Sequence, residues 1–306
     1  MTPLSPSEQR PPEPPVGPDA SPVGGAQSFL DRAIIQLESC DSISAKTRQS
    51  AELFGKRLVG SGTYLEQRSA QQLMFRLELR LQSGGREATF LQSCDGRSLW
   101  IYEDFGGRET LAQVDIVRIA RALEERGEMP QAGKIGQWPG LGGLPKTLRS
   151  LHLAFDFTAA EETRLEDRLP VIRLQGEWKQ KRLMRFFPDK ADEMNAGRPV
   201  DLGRLPPYLP HYVVLYLEQK GLFPRRIEYW RRPPVGPRQE EPPENQLMVA
   251  MDLFDVQINV PISPARFRFD PGKLEPSNQT ERYLEDLGLK KRGEAGQGRA
   301  GGKDEG

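Results

Sequence analysis

The residues that could carry chemistry are few in this sequence. It contains two histidines, His152 and His211, and two cysteines, Cys40 and Cys94. So few imidazole and thiol groups nearly exclude a zinc site built from His and Cys ligands. No G-x-S-x-G elbow precedes either histidine, so the pattern of a Ser-His-Asp hydrolase is missing. We therefore predict a protein that is not an enzyme and that needs no metal.

Phosphate-binding loops are missing as well. No G-x-x-x-x-G-K-[ST] sequence occurs, and the glycines at Gly140, Gly142 and Gly143 lack the spacing of a G-x-G-x-x-G fingerprint. Lys and Arg together number 43, as do Asp and Glu, so the formal net charge is zero. Proteins that bind nucleic acids usually carry a basic excess. We predict no nucleotide cofactor and no nucleic-acid partner.

The two cysteines leave two interpretations open. Cys40 ends the first predicted helix and Cys94 ends a predicted strand, and in an up-and-down meander both can lie at the same edge of the sheet. A disulfide between them is then geometrically feasible and would fit an oxidising compartment. Two buried free thiols are the other interpretation, because free cysteine is among the most buried residue types.

The two ends of the chain have the composition of unfolded tails. Residues 1–25 contain eight prolines and almost no large apolar side chain, so they cannot bury enough surface to offset chain entropy. Residues 290–306 are rich in glycine and charge and are predicted to form a second tail. Between them we expect one domain, 26–289, with an enlarged middle region at 127–205. No signal peptide is recognisable, so the protein is cytoplasmic if Met1 is the true start.

Between the tails the hydrophobic period indicates one helix followed by strands. Apolar residues from Phe29 to Leu37 share one face of a helix. The clearest strand is 72–82, where odd positions from Leu73 to Leu81 are apolar and even ones mostly charged. Further strands are predicted at 43–54, 57–67, 87–94, 98–104, 211–218, 225–230 and 247–260, and further helices after Asp115, at 144–155 and at 280–288.

This pattern favours the α+β class, with a large curved antiparallel sheet whose concave face is covered by helices. Within 247–260 the apolar phase slips from odd to even positions after Leu253, which predicts a bulge that bends the sheet. Helices laid across such a sheet can enclose an apolar cavity. No apolar run reaches the ~18 residues of a membrane span.

Three motifs resemble those of a known family. They are residues 60–68 (GSGTYLEQR), 94–102 (CDGRSLWIY) and 267–272 (FRFDPG). In this order they are similar to the G-x-G strand leading to an arginine, the D-G-(K/R)-x-L-W-x-Y hairpin and the closing F-x-F-x-P-P-x-G strand end of the LolA-type lipoprotein carriers. The resemblance covers residues 27–115 and 211–275, and the middle region matches no motif of that family.

The resemblance implies an incomplete β-barrel whose concave apolar face takes up acyl chains of a lipid or lipoprotein. It implies a monomeric, non-enzymatic carrier in the periplasm or cell envelope, with a membrane receptor protein as a further partner. The carriers' arginine helps to hold the closed, unloaded state, a role that maps onto Arg68. The candidates for the cavity wall are Leu73, Phe75, Leu77, Leu79, Trp100 and Tyr102. Plain core packing is the alternative for each of these, and a solvated strand position is the alternative for Arg68.

A second function of a different class stays open. Relatives of this fold act as periplasmic regulators that bind a domain of another protein. In that case the middle region and the loop at 232–245 would form the partner surface. A sensor of this kind should bury an interface of roughly 1,600 Å² against its partner.

Overall fold

The computed structural model of the protein describes residues 25–53, 56–69, 72–83, 85–126, 143–165, 168–233 and 244–289. The predicted tails lie outside these ranges, apart from Gly25. Residues 127–142 of the middle region and most of the loop predicted at 232–245 lie outside them as well.

Twelve strands and six α-helices make up the described part of the chain. The strands are β1 (Ser42–Leu53), β2 (Lys56–Ser69), β3 (Gln72–Ser83), β4 (Arg86–Cys94), β5 (Ser98–Phe105), β6 (Glu109–Asp115), β7 (Phe155–Arg164), β8 (Pro170–Trp178), β9 (Tyr212–Glu218), β10 (Pro224–Arg231), β11 (Gln246–Ile258) and β12 (Ser277–Asn278). The helices are α1 (Ala26–Glu38), α2 (Ile116–Arg126), α3 (Gly143–Ala154), α4 (Gln180–Leu183), α5 (Ala191–Asn195) and α6 (Thr280–Asp286).

All of these strands belong to one sheet, in the order β12-β6-β5-β4-β3-β2-β1-β11-β10-β9-β8-β7. Neighbours pair antiparallel, except that the short β12 pairs parallel with β6. The pairing of β1 with β11 joins the early meander to the late one. Because β12 and β7 are the two outermost strands in the described ranges, the sheet stays open there. The predicted α+β class with a large antiparallel sheet is confirmed.

Two faces and two ends of the sheet are distinguished below. The inner face is the one that packs against α1 and α3, and the outer face is its opposite. The upper end is where the β1–β2, β3–β4 and β5–β6 connections turn. The lower end is where α1 leads into β1 and where β6 leads into α2. Along each strand, successive side chains alternate between the two faces.

The main core lies between the inner face and the helices α1 and α3. The buried residues of α1 include the predicted apolar face from Phe29 to Leu37, and α3 buries Leu144, Leu148 and Leu151. Eight strands contribute to the core beneath them, through Ile43, Ala45, Tyr64, Leu77, Leu79, Phe155, Phe157, Ile172, Leu174, Val213, Leu215, Leu217, Ile227, Met251 and Leu253. Each large apolar side chain buried there contributes about 2 kcal/mol.

A second, smaller core covers the lower end of β3 to β6. Here Phe75 and other inner-face residues pack against Ile119 of α2 and against Tyr283 and Leu284 of α6. Asp115 caps α2, because its carboxylate accepts a hydrogen bond from the Arg118 amide at 3.0 Å. The predicted helix after Asp115 is therefore confirmed.

The outer face of β2 to β5 is covered by residues 260–272, which follow β11 and are called the strap below. Ile262 and Phe267 of the strap pack against Leu65 of β2. The Ser93 hydroxyl of β4 donates a hydrogen bond to the Phe267 carbonyl at 2.8 Å. The first and third sequence motifs thus meet on this face, because Leu65 belongs to the first and Phe267 to the third.

The predicted bulge in 247–260 is confirmed, and it has a defined position. The pairing of β1 with β11 shifts between Ser44 and Lys46, and Asp255 of β11 adopts a positive φ of 49°. β7 and β8 were not among the predicted strands. In β7 only Phe155 and Phe157 are fully buried, so the alternation fades into a charged, exposed stretch at this edge of the sheet.

Candidate functional site

The four apolar residues predicted on β3 all lie on the inner face. Leu77 and Leu79 are buried beneath α1 and α3, whereas Phe75 belongs to the smaller core with α2 and α6. Leu73, at the lower end, is half-buried. The strand therefore passes from one core to the other, and its leucine stripe forms part of the floor beneath both pairs of helices.

Trp100 and Tyr102 lie on the outer face instead. The register pairs Trp100 with Ser93 and Tyr102 with Leu91, which face away from α1 and α3. Both rings contact Phe269 of the strap, with centroid distances of 5.7 Å and 6.2 Å. The second and third motifs thus meet here, and the strap, which contains the third motif, packs against the other two. On the inner face β5 instead places Leu99, Ile101, Glu103 and Phe105, which the sequence analysis did not single out.

Tyr102 also forms a hydrogen bond with the neighbouring strand β6. Its hydroxyl donates a hydrogen bond to the Glu109 carboxylate at 2.6 Å, and this bond raises the pKa of Tyr102 to about 12. The phenol therefore stays protonated at neutral pH. The Tyr102 side chain therefore has a structural role between β6 and the strap, and it lies on the face opposite the leucines of β3.

The inner face remains apolar up to the upper end, beyond the fully buried core. Six apolar side chains there, called the upper apolar row, are half-buried or exposed: Leu58, Leu81, Phe90, Phe105, Tyr229 and Val249. Leu81, Phe90 and Tyr229 pack against the edge of the main core. Phe105 is 55% exposed. Apolar side chains are thus found on the inner face from beneath α1 and α3 to the solvent at this end.

A polar cluster interrupts the inner face at the lower end. It consists of Tyr64, Glu66 and Arg68 of β2 and the Leu144 amide of α3, and is called the lower polar cluster. The Glu66 carboxylate accepts hydrogen bonds from the Tyr64 hydroxyl, from the Leu144 amide at 3.0 Å and from the Arg68 guanidinium at 2.5 Å. Glu66 itself is only 1% exposed. A carboxylate buried this deeply needs such partners.

The cluster joins the sheet to the first turn of α3. The Leu144 amide is one of the unpaired N–H groups at a helix N-terminus, where the positive end of the helix dipole favours an anion. Burial and the Glu66 charge raise the pKa of Tyr64 well above its usual value, so the phenol remains a donor. Arg68 lies on the inner face, and it has the carboxylate partner that an arginine there requires.

Gly143 allows Glu66 to reach this helix terminus. Its φ is +68°, and a Cβ at this position would collide with the Glu66 carboxylate. Glycine is the residue that meets both conditions, because it has no side chain and adopts positive φ without strain. The sequence analysis considered Gly143 only as part of a missing nucleotide fingerprint. The sequence signal for this site was that Glu66 and Arg68, two residues apart, share one face of a strand.

Two glycines of the first motif have a related steric reason. A Cβ at Gly62 would collide with the Glu78 carbonyl of β3, and one at Gly60 would lie 2.6 Å from the Arg80 carbonyl. The backbones of β2 and β3 crowd each other on the inner face, so these positions exclude a side chain.

Two uncharged polar side chains also lie buried on the inner face. Thr47 of β1 and Gln92 of β4 are 0% and 5% exposed. The Thr47 hydroxyl oxygen and the Gln92 side-chain oxygen have no hydrogen-bond partner in the described part of the chain. Burying such groups without partners costs free energy, so they could pair with the polar atoms of a bound molecule.

Both cysteines are buried free thiols. Cys40 lies in the main core and Cys94 in the smaller one. Burial raises the pKa of both thiols, that of Cys94 to about 11, so both stay protonated and unreactive at neutral pH. Of the two interpretations of the cysteines, the structure holds the free thiols.

No family model matches the chain, and no curated protein matches it either. Solved structures that are similar include the Mycobacterium tuberculosis lipoprotein LppX, at 9% identity and a TM-score of 0.38 over 78% of this chain and 97% of that one. A putative outer membrane lipoprotein-sorting protein domain from Vibrio parahaemolyticus matches at 8% identity and a TM-score of 0.32, over 79% and 97%. A LolA superfamily protein from Nitrosomonas europaea matches at 10% and 0.28, over 81% and 99%.

With identities near 10% and TM-scores below 0.4, these similarities carry no conclusion about what this chain is or binds. Among the described residues, none of the helices is long and apolar enough to cross a membrane.

Proposed function

We propose that this protein binds the acyl chains of a lipid or lipoprotein on its inner face, between the sheet and the helices α1 and α3. One observation carries the proposal: apolar surface runs from the core beneath these helices to the upper apolar row. A chain entering at the row would pass from water onto a mainly apolar surface. Each CH₂ group that it buries contributes about 0.8 kcal/mol, so one or two chains suffice without polar contacts.

The residues favour binding over catalysis. The cysteines are buried and protonated, and the polar groups of the lower polar cluster are engaged with one another rather than directed at a vacant position. The Thr47 hydroxyl would donate a hydrogen bond to an ester or amide carbonyl of the ligand, and the Gln92 side-chain oxygen would accept one from an amide N–H. The proposed activity is therefore that of a non-enzymatic carrier, formed by residues 26–289 as one monomeric domain.

Release requires an environment as apolar as the inner face. A membrane, or a membrane receptor protein with an acyl-binding surface of its own, meets this requirement. We place the carrier in the cell envelope, as the family resemblance implied. In this proposal Leu77 and Leu79 belong to the wall of the site, whereas Trp100 and Tyr102 stabilise the strap behind it.

The first experiment is an inventory of bound lipid. The full chain is purified and extracted with organic solvent, and the extract is analysed by mass spectrometry. A fluorescent acyl probe is titrated in parallel. Stoichiometric acyl ligand, or displaceable probe binding at micromolar concentration, is the expected result. With neither ligand nor probe binding, the inner face is a filled core and the regulatory-module hypothesis takes precedence.

A pair of neighbouring substitutions locates the binding surface. Leu58 lies on the inner face in the upper apolar row, and Val59, 40% exposed, lies on the outer face beside it. We expect Leu58→Lys to weaken probe binding by about tenfold, since a charge would enter the apolar surface. Val59→Lys adds the same charge one residue away and should leave binding unchanged. Equal effects of the two variants would place the probe elsewhere.

A further inference from the structure

The segment between β8 and β9 sits at the upper end of the sheet, beside the upper apolar row. It has a small core of its own, with Leu183, Phe187, Met194, Leu205 and Leu209 buried together. The Lys179 amide donates to the Ala154 carbonyl at the end of α3, at 2.8 Å. The indole of Trp178 donates to the Pro210 carbonyl at 2.8 Å. The segment is therefore fixed to both the sheet and the C-terminal end of α3.

Positive charge is concentrated at the start of this segment. Residues 179–186, called the basic turn, contain Lys179, Lys181, Arg182 and Arg185 and no acidic residue. Lys181 and Arg185 are exposed. Lys179 makes a long contact of 3.8 Å to Asp156. The chain as a whole has no net charge, so this excess is local.

Exposed apolar side chains accompany the charge. Phe186 and Leu153 are each 39% exposed, and the Arg182 guanidinium donates to the Leu153 carbonyl at 3.3 Å, which places the two elements side by side. Phe186 is held by an edge contact with Trp178 at 5.6 Å, and Trp178 packs on the buried Phe155 at 4.5 Å. The exposed ring is thus anchored to the main core.

We propose that the basic turn, with Phe186 and Leu153, is a docking surface for an anionic lipid bilayer. The charges would meet the lipid headgroups, and the two apolar side chains would enter the boundary between headgroups and acyl chains. The combination of cationic and large apolar groups favours a bilayer over an acidic protein or a nucleic acid. Docking would hold the upper apolar row next to the membrane surface, because both features lie at the same end of the sheet.

Vesicle binding by the full chain tests this surface. Extruded vesicles of phosphatidylcholine alone are compared with vesicles containing one-third phosphatidylglycerol, and bound protein is measured by sedimentation. We expect binding to the anionic vesicles only, and a clear loss between about 0.1 M and about 0.5 M salt. Each basic residue near an anionic surface contributes about fivefold to partitioning. The double variant Lys181→Glu/Arg185→Glu should therefore bind at least ~25-fold more weakly.

Two matched controls make the test specific. Lys220→Glu/Lys273→Glu reverses two charges that are also exposed but lie in other parts of the chain, and it should stay within about twofold of the wild type. Phe186→Ala should weaken binding by about fivefold, whereas Phe254→Ala, at 40% exposure, should not. Thermal unfolding of each variant shows that it is folded.

Three results would overturn the docking surface: no preference for anionic vesicles, equal losses in the two double variants, or no effect of Phe186→Ala. The acyl-probe titration is repeated on the same variants. Unchanged probe affinity with lost vesicle binding separates docking from acyl binding, so either proposal can fail without the other.

Discussion

The two ends of the inner face differ in how they hold α3. At the lower end, the first turn of the helix is fixed by directional bonds, because its Leu144 amide meets both the Glu66 carboxylate and the Tyr64 hydroxyl at 3.0 Å. At the upper end, the helix runs directly into β7, where Phe155 packs on Trp178. The last carbonyls of the helix accept hydrogen bonds from the Lys179 amide and the Arg182 guanidinium. One end is closed by a buried ionic cluster, and the other is a partly exposed apolar surface.

This difference teaches where a ligand can enter. Separating α3 from the sheet at the lower end would leave the buried Glu66 carboxylate without its hydrogen-bond partner on the helix, which costs several kcal/mol. Parting the side chains of the upper apolar row costs only apolar burial, and an acyl chain restores that burial as it enters. We therefore expect access at the upper end, with the lower polar cluster as the fixed point about which α3 stays attached.

The largest loss of stability is expected when a single methyl group is added beside the lower polar cluster. Gly143→Ala would place a Cβ against the Glu66 carboxylate at a residue whose φ is +68°. The variant should lose about 3 kcal/mol of unfolding free energy, from backbone strain together with displaced hydrogen bonds. Urea unfolding followed by tryptophan fluorescence measures this loss.

Gly85→Ala is the control for that variant. Gly85 has a φ of +80°, and nothing lies within 4 Å of a Cβ built there. This variant retains the strain without the collision and should lose about 1 kcal/mol. If the two variants lose the same amount, the lower end is not held by the contact between Glu66 and α3, and the comparison of the two ends fails.

A smaller loss of unfolding free energy is expected when the pH falls, and it arises at the upper end. His211 is buried where the segment after β8 rejoins the sheet, and its Nδ1 accepts a hydrogen bond from the Arg232 amide at 3.0 Å. Burial and the charges of Arg231 and Arg232 lower the pKa of His211 to about 4, against the opposing charge of Asp201. The folded state thus favours the neutral ring, whereas the unfolded chain binds a proton below about pH 6.5.

The contribution of His211 is therefore complete above about pH 6.5 and is lost as the pH falls towards 4. Between pH 7 and about pH 4.5 it should cost about 2 kcal/mol of unfolding free energy. Urea titrations of the wild type and His211→Asn at both pH values isolate the contribution of His211 to the unfolding free energy. All other titratable groups are present in both proteins, so their effects cancel in the difference. A variant His211→Asn with an unchanged pH dependence would contradict the prediction.

Much of this architecture follows from alternation and turn chemistry alone. The stripe from Leu73 to Leu81 predicted both the strand and its buried face, since an antiparallel strand with one wet face must alternate. The phase slip after Leu253 predicted the bulge. The three motifs predicted the kind of fold, and the strap explains why they occur together. It carries Phe267 of the third motif and packs on the outer face against Leu65 of the first motif and Trp100 of the second.

Other features depend on register, which one strand does not reveal by itself. In residues 98–105 apolar and aromatic side chains occupy both faces, so Trp100 and Tyr102 could not be assigned to one face until β5 was paired with β4. Glu66 is one acid among 43 acidic residues. Its burial arises only because α3, distant in sequence, begins above it. The edge strand β7 has too few buried positions for its period to be recognised.

The smallest effect is expected from Arg68, the residue that the family resemblance assigned to the closed state. Its guanidinium pairs with Glu66 at 2.5 Å, but its side chain is 23% exposed, so solvent screens part of the interaction. Arg68→Leu should lower the unfolding free energy by about 1–2 kcal/mol, because Glu66 retains its bonds to Tyr64 and Leu144 but loses its counter-charge.

The same variant tests whether the lower polar cluster affects ligand uptake. With its fixed point weakened, α3 should separate from the sheet more readily, and acyl-probe association should become faster by a few-fold. Arg80→Leu, an exposed position on the outer face of β3, provides the matched control and should change neither quantity. If Arg68→Leu changes neither the stability of the empty protein nor its binding of the probe, Arg68 is no latch. The lower end would then be held by Glu66 and α3 alone.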